Sequence, residues 1–179
     1  PLKPWRRVAM IIPVLTVVFT TINAGSNLEL SWYISVSLAI ILYVILARFT
    51  GNIQLTYFSV GLINFAYYRW LLLTENNLNA LGYGLLPGLS LLYFAQVDPS
   101  LQRPEQKLLR HWIRIFGIGM ICVAALLTNQ WTGILPGFIS LIAIFIGLGL
   151  RIRAFLYVGT VTFLINAVNQ LLILNSIYS

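Results

Sequence analysis

Between Ser31 and Phe49 the chain reads SWYISVSLAIILYVILARF, and Arg48 is its single charged residue. No other feature of the sequence constrains the fold as much as a run of this kind. A membrane-crossing helix needs about 20 predominantly apolar residues. In lipid the backbone satisfies its own N–H and C=O groups only as a helix or a closed barrel. The run is continuous rather than alternating, which selects the helix. Comparable runs lie at roughly 7–24, 32–50, 55–74, 79–96, 112–130, 132–150 and 154–175, so seven spans are expected. Gly82, Gly84, Pro87 and Gly88 crowd the start of the fourth and make it the weakest. Composition agrees: 59% of residues are hydrophobic and 8% charged, with mean hydropathy +0.88, against about 25% charged in a soluble domain. Such a chain cannot cover a globular surface with polar groups. The expectation is an all-α, polytopic transmembrane helical bundle of about seven helices. Residues 1–179 would form a single integral membrane domain whose short connections leave no room for a soluble one.

A net charge of +7 would point to nucleic acid in a soluble protein, but its placement points elsewhere. Lys3, Arg6 and Arg7 precede the first helix and Arg48 ends the second. Arg103, Lys107, Arg110 and Arg114 cluster between the fourth and fifth, and Arg151 and Arg153 separate the sixth from the seventh. All of the 11 Lys and Arg except Arg69 thus fall on one side of a seven-helix chain. The opposite connections, GSNLEL, TENNLN and TNQW, and the tail NSIYS carry none. The positive-inside rule then places the N-terminus on the cytoplasmic side and the C-terminus opposite. The expected partners are membrane lipids and other membrane-protein subunits, with no nucleic acid. Cys122, the single cysteine, excludes an intrachain disulfide. The opening PLKPWRR lacks an initiator Met, which reads as a processed N-terminus or a piece of a longer protein.

The chain also repeats itself. GLLPGLSLL (Gly84–Leu92) and GILPGFISLI (Gly133–Ile142) each follow a similar phrase, LLLTENN ending at Asn77 and ALLTNQ ending at Gln130. Each copy reads as an outgoing helix, a short loop capped by Thr and Asn, and a returning helix. Pro would sit in the returning helix's first turn, where its missing N–H has no intrahelical partner to lose. True duplication predicts helical hairpins of helices three with four and five with six, related by an axis along the membrane normal. The alternative is chance recurrence of Leu, Gly and Pro in an apolar chain. RIFGIG…LLTNQ (Arg114–Gln130) also resembles RAFLYVG…NAVNQ (Arg153–Gln170). The seventh helix then looks like half of another hairpin, with its polar face awaiting an eighth helix or another subunit.

The segments GLGLRIRAFLYVGTVTFLINAVNQLLIL and TGILPGFISLIAIF resemble the C-terminal part of large, uncharacterised polytopic membrane proteins of cyanobacteria, chiefly over residues 110–176. The resemblance carries no known activity and so no catalytic residues. It implies a bacterial photosynthetic host, a thylakoid or plasma membrane, and a further membrane helix beyond this chain.

Candidate chemistry is sparse, and each element of it has two readings. Arg69, in AYYRWLLLTE, stands six residues before Glu75, about 9 Å along a helix. It reads as an anion or lipid-headgroup contact, or as a side chain snorkelling outward beside Tyr67, Tyr68 and Trp70. Gly159, Thr162, Asn166 and Asn169, with Gln170 adjacent, share one face of the seventh helix. They read as a polar substrate path or as helix–helix polar contacts. Asn64, Gly61 and Tyr68 make a smaller stripe of the same type. His111 reads as an axial ligand to a chlorophyll magnesium or as an interfacial residue beside Trp112. The cytoplasmic basic surface of Arg103, Lys107, Arg110 and Arg114 reads as a headgroup contact or a docking face for an acidic partner.

No predicted span contains Asp, Glu, Lys or His, and no triad, carboxylate pair, metal cluster or phosphate loop is present. Enzymatic activity and a resident metal or cofactor are not expected; bound lipid is, with chlorophyll or carotenoid as candidate pigments. The leading expectation is a non-catalytic multi-pass scaffold or accessory subunit of a larger membrane complex, photosynthetic by resemblance. The alternative is a transporter or channel component for a neutral or anionic solute. A third reading is a membrane-embedded part of a longer regulatory protein.

Overall fold

A computed structural model describes residues 3–23, 29–73, 80–128 and 133–178, with the side chains among them except those of 3–10, 23, 29 and 178. The chain is all-α. Among the described residues seven α-helices follow one another: α1 (Lys3–Asn23), α2 (Glu29–Thr50), α3 (Leu55–Leu73), α4 (Ala80–Val97), α5 (Lys107–Thr128), α6 (Ile134–Gly149) and α7 (Arg153–Tyr178), with a 3₁₀ turn at Pro104–Gln106 before α5. Four stretches are long and apolar enough to cross a membrane: Leu30–Thr50, Ala80–Val97, Pro104–Thr128 and Arg153–Ile177. Ile11–Ile22 and Ile134–Gly149 are shorter apolar helices. Seven spans were expected; α3, interrupted by Asn64 and Arg69, joins neither group. Large apolar side chains such as Phe49, Phe145 and Leu171 stand exposed along these helices.

The chain divides into two compact units, Pro1–Leu73 and Thr74–Ser179. In the first, α1 packs on α2 and α2 on α3. Antiparallel α2 and α3 are joined by a tight turn with Gly51 at φ +64°, and Asn52 Oδ1 accepts the Gln54 N–H at 3.1 Å. Ser59 donates its hydroxyl proton to the Ile40 carbonyl at 3.3 Å, and Tyr43 stacks on Phe58 with ring centroids 5.6 Å apart. Val17, Trp32, Val36 and Ala39 form the core. The hydroxyls of α1 turn back on their own helix, Thr16 to the Ile12 carbonyl at 2.9 Å and Thr21 to the Val17 carbonyl at 2.6 Å. This closes polar groups that lipid would leave unpaired.

In the second unit the most extensive pairings are α4 with α5 and α6 with α7, and α5 also packs against α6 and α7. The antiparallel α4–α5 seam is made of missing side chains. A Cβ on Gly88 would lie 2.6 Å from the Gly117 carbonyl oxygen, and one on Gly84 would lie 2.5 Å from the Ala124 Cβ. Small residues at these positions let two backbones meet, and packing of that kind holds helices together in lipid. At the end of the seam the Thr128 hydroxyl accepts the Leu81 N–H at 2.6 Å and donates to the Ala124 carbonyl at 2.8 Å.

One feature of the expected repeat is corrected by this packing. Pro87 lies inside α4, not in its first turn, because α4 starts at Ala80 with Thr128 satisfying an early N–H from outside the helix. Pro136, its counterpart, does sit in the first turn of α6. Helices α3 and α4 fall in different units; within the second unit α5 packs on α6, though less extensively than α5 packs on α4 or α6 on α7. The phrases TENN and NQ, at 74–77 and 129–130, lie outside the described residues.

The glycine seam generates a direct test. Gly88→Val should destabilise the protein by about 1–3 kcal/mol, as overpacking does, read as a lowered midpoint of thermal unfolding in a mild detergent. Gly119→Ala, where an added Cβ meets nothing within 4 Å, should leave that midpoint unchanged.

Candidate functional site

Three places gather the polar side chains of the helices. The first is in the Pro1–Leu73 unit. The Arg69 guanidinium carbon sits 4.4 Å from the centroid of the Trp32 ring. Trp32 is 1% exposed and donates its indole N–H to Thr21 Oγ1 at 2.8 Å. Tyr33 and Phe65 meet the same indole edge-on, with centroids 4.9 and 5.7 Å away. One buried indole thus joins α1, α2 and α3 and carries a cation on its face, worth about 0.5–2 kcal/mol. Arg69 Nε is buried with no hydrogen-bond partner among the described residues. Its own-helix neighbours pair with each other instead, Tyr67 with Tyr68 at 6.0 Å and with Trp70 at 6.1 Å. The link to Trp32 was not read from the sequence. Asn64 of the smaller stripe donates back to the Val60 carbonyl at 2.8 Å, and Gly61 opens onto space.

The second place is the polar face of α7. Gly159, Thr162 and Asn166 are buried, while Asn169 and Gln170 are half-buried. Asn166 donates Nδ2–H to the Gly133 carbonyl at 2.9 Å, and the same oxygen accepts the Gly137 N–H at 3.0 Å. Gly133 caps α6 at φ +61°, and a side chain there would run into Gln170. The buried Thr162 side chain lies beside Cys122 of α5. A Cβ on Gly159 would lie 3.0 Å from both the Ile144 N and the Ser140 carbonyl oxygen. The face expected to await a missing helix is therefore occupied, in its buried part, by α5 and α6 of the same unit. The glycines at the start of α6 are what bring the amide to backbone.

The third place is the end of the Thr74–Ser179 unit where α4 and α6 finish and α5 and α7 begin. The four basic residues of the expected surface behave differently here. Arg103 and Lys107 are exposed at the 3₁₀ turn and the start of α5. Arg110 donates Nη1–H to Gln102 Oε1 at 2.6 Å, and Arg114 donates Nη2–H to Gln96 Oε1 at 3.0 Å. Gln102 in turn donates to the Gln96 carbonyl at 2.6 Å. Arg151, which was read only as a loop charge, sits at φ +54°. It closes α6 in a Schellman turn: the Ile152 N–H reaches the Gly147 carbonyl at 2.9 Å and the Arg151 N–H reaches the Leu148 carbonyl at 3.3 Å. Glycine normally holds that position, and a residue with a Cβ costs about 1–2 kcal/mol there. Nothing in sequence spacing marks Arg151 for this conformation, beyond its place just after GLGL.

His111 is half-buried in the early turns of α5. Among the described residues no group of three or more His, Cys, Asp and Glu side chains comes together that could hold a metal. No family model, curated protein or solved structure matches this chain.

Two measurements probe the first two places. Asn166→Leu should cost about 1–2 kcal/mol of stability in detergent or bicelles through loss of its bond to Gly133. Gly133→Ala should cost at least about 1 kcal/mol through its left-handed backbone alone. In a double-mutant cycle, Arg69→Met and Trp32→Phe should couple by about 0.5–2 kcal/mol in unfolding free energy. A coupling near zero would mean that the cation and the indole merely lie close.

Proposed function

We propose that this chain is a non-catalytic, multi-pass integral membrane protein acting as a scaffold or accessory subunit of a larger membrane assembly. The carrying observation is where the polar groups of its helices go. Asn166 is closed on the Gly133 carbonyl, Trp32 on Thr21, and Arg69 on the Trp32 ring. A transport path needs polar side chains turned toward a passage. These are turned toward neighbouring helices, where they fix register and leave apolar surface such as Phe49, Phe138 and Phe145 outward. Surface of that character suits lipid and other membrane helices. The basic connections support an N-terminus on the cytoplasmic side, and the cyanobacterial resemblance supports a thylakoid or plasma membrane.

Extraction from the native membrane in a mild detergent tests the reading. The chain should migrate on native gels in a complex of defined size, with the same subunits at fixed stoichiometry in repeated preparations. A chain that migrates alone and gains thermal stability with one particular neutral or anionic solute would replace the scaffold by transport.

A further inference from the structure

At the basic end of the Thr74–Ser179 unit the helices do not close on one another. Gln96 of α4, Arg114 of α5, Arg151 of the α6–α7 turn and Phe155 of α7 line a pocket of ≈ 640 Å³, whose remaining walls include Leu92 and Ile152. That volume falls within the roughly 300–1,000 Å³ of small-ligand sites. Two cations face it. Arg114 is held by the neutral Gln96 amide, itself tied to Gln102 and through it to Arg110. Among the described residues no carboxylate pairs with Arg114 or Arg151. Neutral acceptors orient a guanidinium without cancelling its charge. Arg151 adds a second fork from a backbone position where glycine would be less strained. Phe155, in the first turn of α7, brings that helix's N-terminus to the rim, and such an end favours negative charge.

We infer that this pocket holds the phosphate of an anionic phospholipid, gripped by Arg114 and Arg151 while Leu92, Ile152 and Phe155 take the adjoining glycerol and first acyl carbons. Guanidinium forks match phosphate oxygens in pairs. Basic pockets between membrane helices are suited to anionic headgroups. A free phosphate would satisfy the same two arginines, but the apolar walls then have no occupant, which favours the lipid. The site is more specific than a basic surface: it selects Arg114 and Arg151 and leaves Arg103 and Lys107 outside. It stands independently of the scaffold role, since a transporter could carry it equally well.

The test uses the full chain in detergent, with phosphatidylglycerol, phosphatidylcholine and inorganic phosphate as separate probes. Binding is read by native mass spectrometry and by the shift in thermal unfolding. Phosphatidylglycerol should bind at least about tenfold more tightly than phosphatidylcholine, as expected for charge-assisted hydrogen bonds. Arg151→Gly and Arg114→Gln should each weaken it by about tenfold, and Arg103→Gln by less than about twofold. Arg151→Gly carries the most weight, because glycine keeps the left-handed turn while removing the guanidinium, so loss of binding cannot be put down to misfolding. Unchanged phosphatidylglycerol affinity in a folded Arg151→Gly protein would overturn the site. An equal loss in Arg103→Gln would overturn it in favour of diffuse attraction to a basic surface. Inorganic phosphate that stabilises the protein more than phosphatidylglycerol does, through the same two arginines, would overturn the lipid as its source.

Discussion

The contact between Gly88 and Gly117 depends on a peculiarity of lipid as a solvent. Hydrocarbon tails are as apolar as leucine, so burying leucine against leucine gains little, and helices associate through close packing and the few polar bonds that packing permits. Removing side chains at Gly84, Gly88 and Gly117 lets α4 and α5 meet backbone to backbone. The polar bonds then follow along the seam, from Thr128 to the Leu81 N–H at one end to Arg114 and Gln96 at the other. Helix α5 also packs against α7, and Ile118, Cys122, Ala143 and Phe155 share one core. The basic pocket between α4, α5 and α7 has its shape because the glycine seam fixes where α4 ends relative to α5.

The helices themselves were legible. The third was expected over 55–74 and is found at Leu55–Leu73, and the fourth, the weakest on paper, over 79–96 and at Ala80–Val97. Apolar runs separated by short polar connections leave little room for another outcome. Pairing was much less legible. The outer surface of a membrane helix is as apolar as its buried face, so hydrophobic periodicity does not say which side meets a neighbour. The informative signal was spacing of small residues. In G-L-L-P-G the two glycines of α4 are four apart and meet α5, whereas in G-I-L-P-G Gly133 and Gly137 meet the α7 amides. The same letters serve two different interfaces, which is why reading them as equivalent loop signals puts Pro87 in the wrong turn.

The polar sites divide along the same line. The face of Thr162 and Asn166 was visible from helical spacing, but its partner, a backbone carbonyl at the cap of α6, was not, because a glycine carbonyl carries no sequence mark. Arg69 is visible in the sequence as an isolated charge beside Tyr67, Tyr68 and Trp70, but the ring it lies on is that of Trp32. Trp32 lies on the preceding helix, and only antiparallel packing of α2 on α3 brings it over. Arg151 shows the limit most clearly: its side chain was counted for topology, while its role at a left-handed turn depends on a backbone angle that no neighbouring residue announces.

Taken together, the polar groups obey one rule within the helices and another at the basic end. Inside, three of the described groups lie against a neutral acceptor or an aromatic face: Asn166 on a carbonyl, Trp32 on a hydroxyl, and the Arg69 guanidinium on an indole. Leaving such a group unpaired in hydrocarbon costs several kcal/mol, so closure there is required for the fold and need not reflect a task. At the basic end that pressure is absent, because water and headgroups can satisfy any charge. Arg114 is nonetheless ordered by a glutamine relay, and Arg151 occupies a conformation that a glycine would adopt more cheaply. The proposed lipid phosphate would meet these two guanidinium groups already in place. The closed polar groups inside the helices thus serve the fold, whereas the guanidinium groups at the charged rim are held with no such demand upon them.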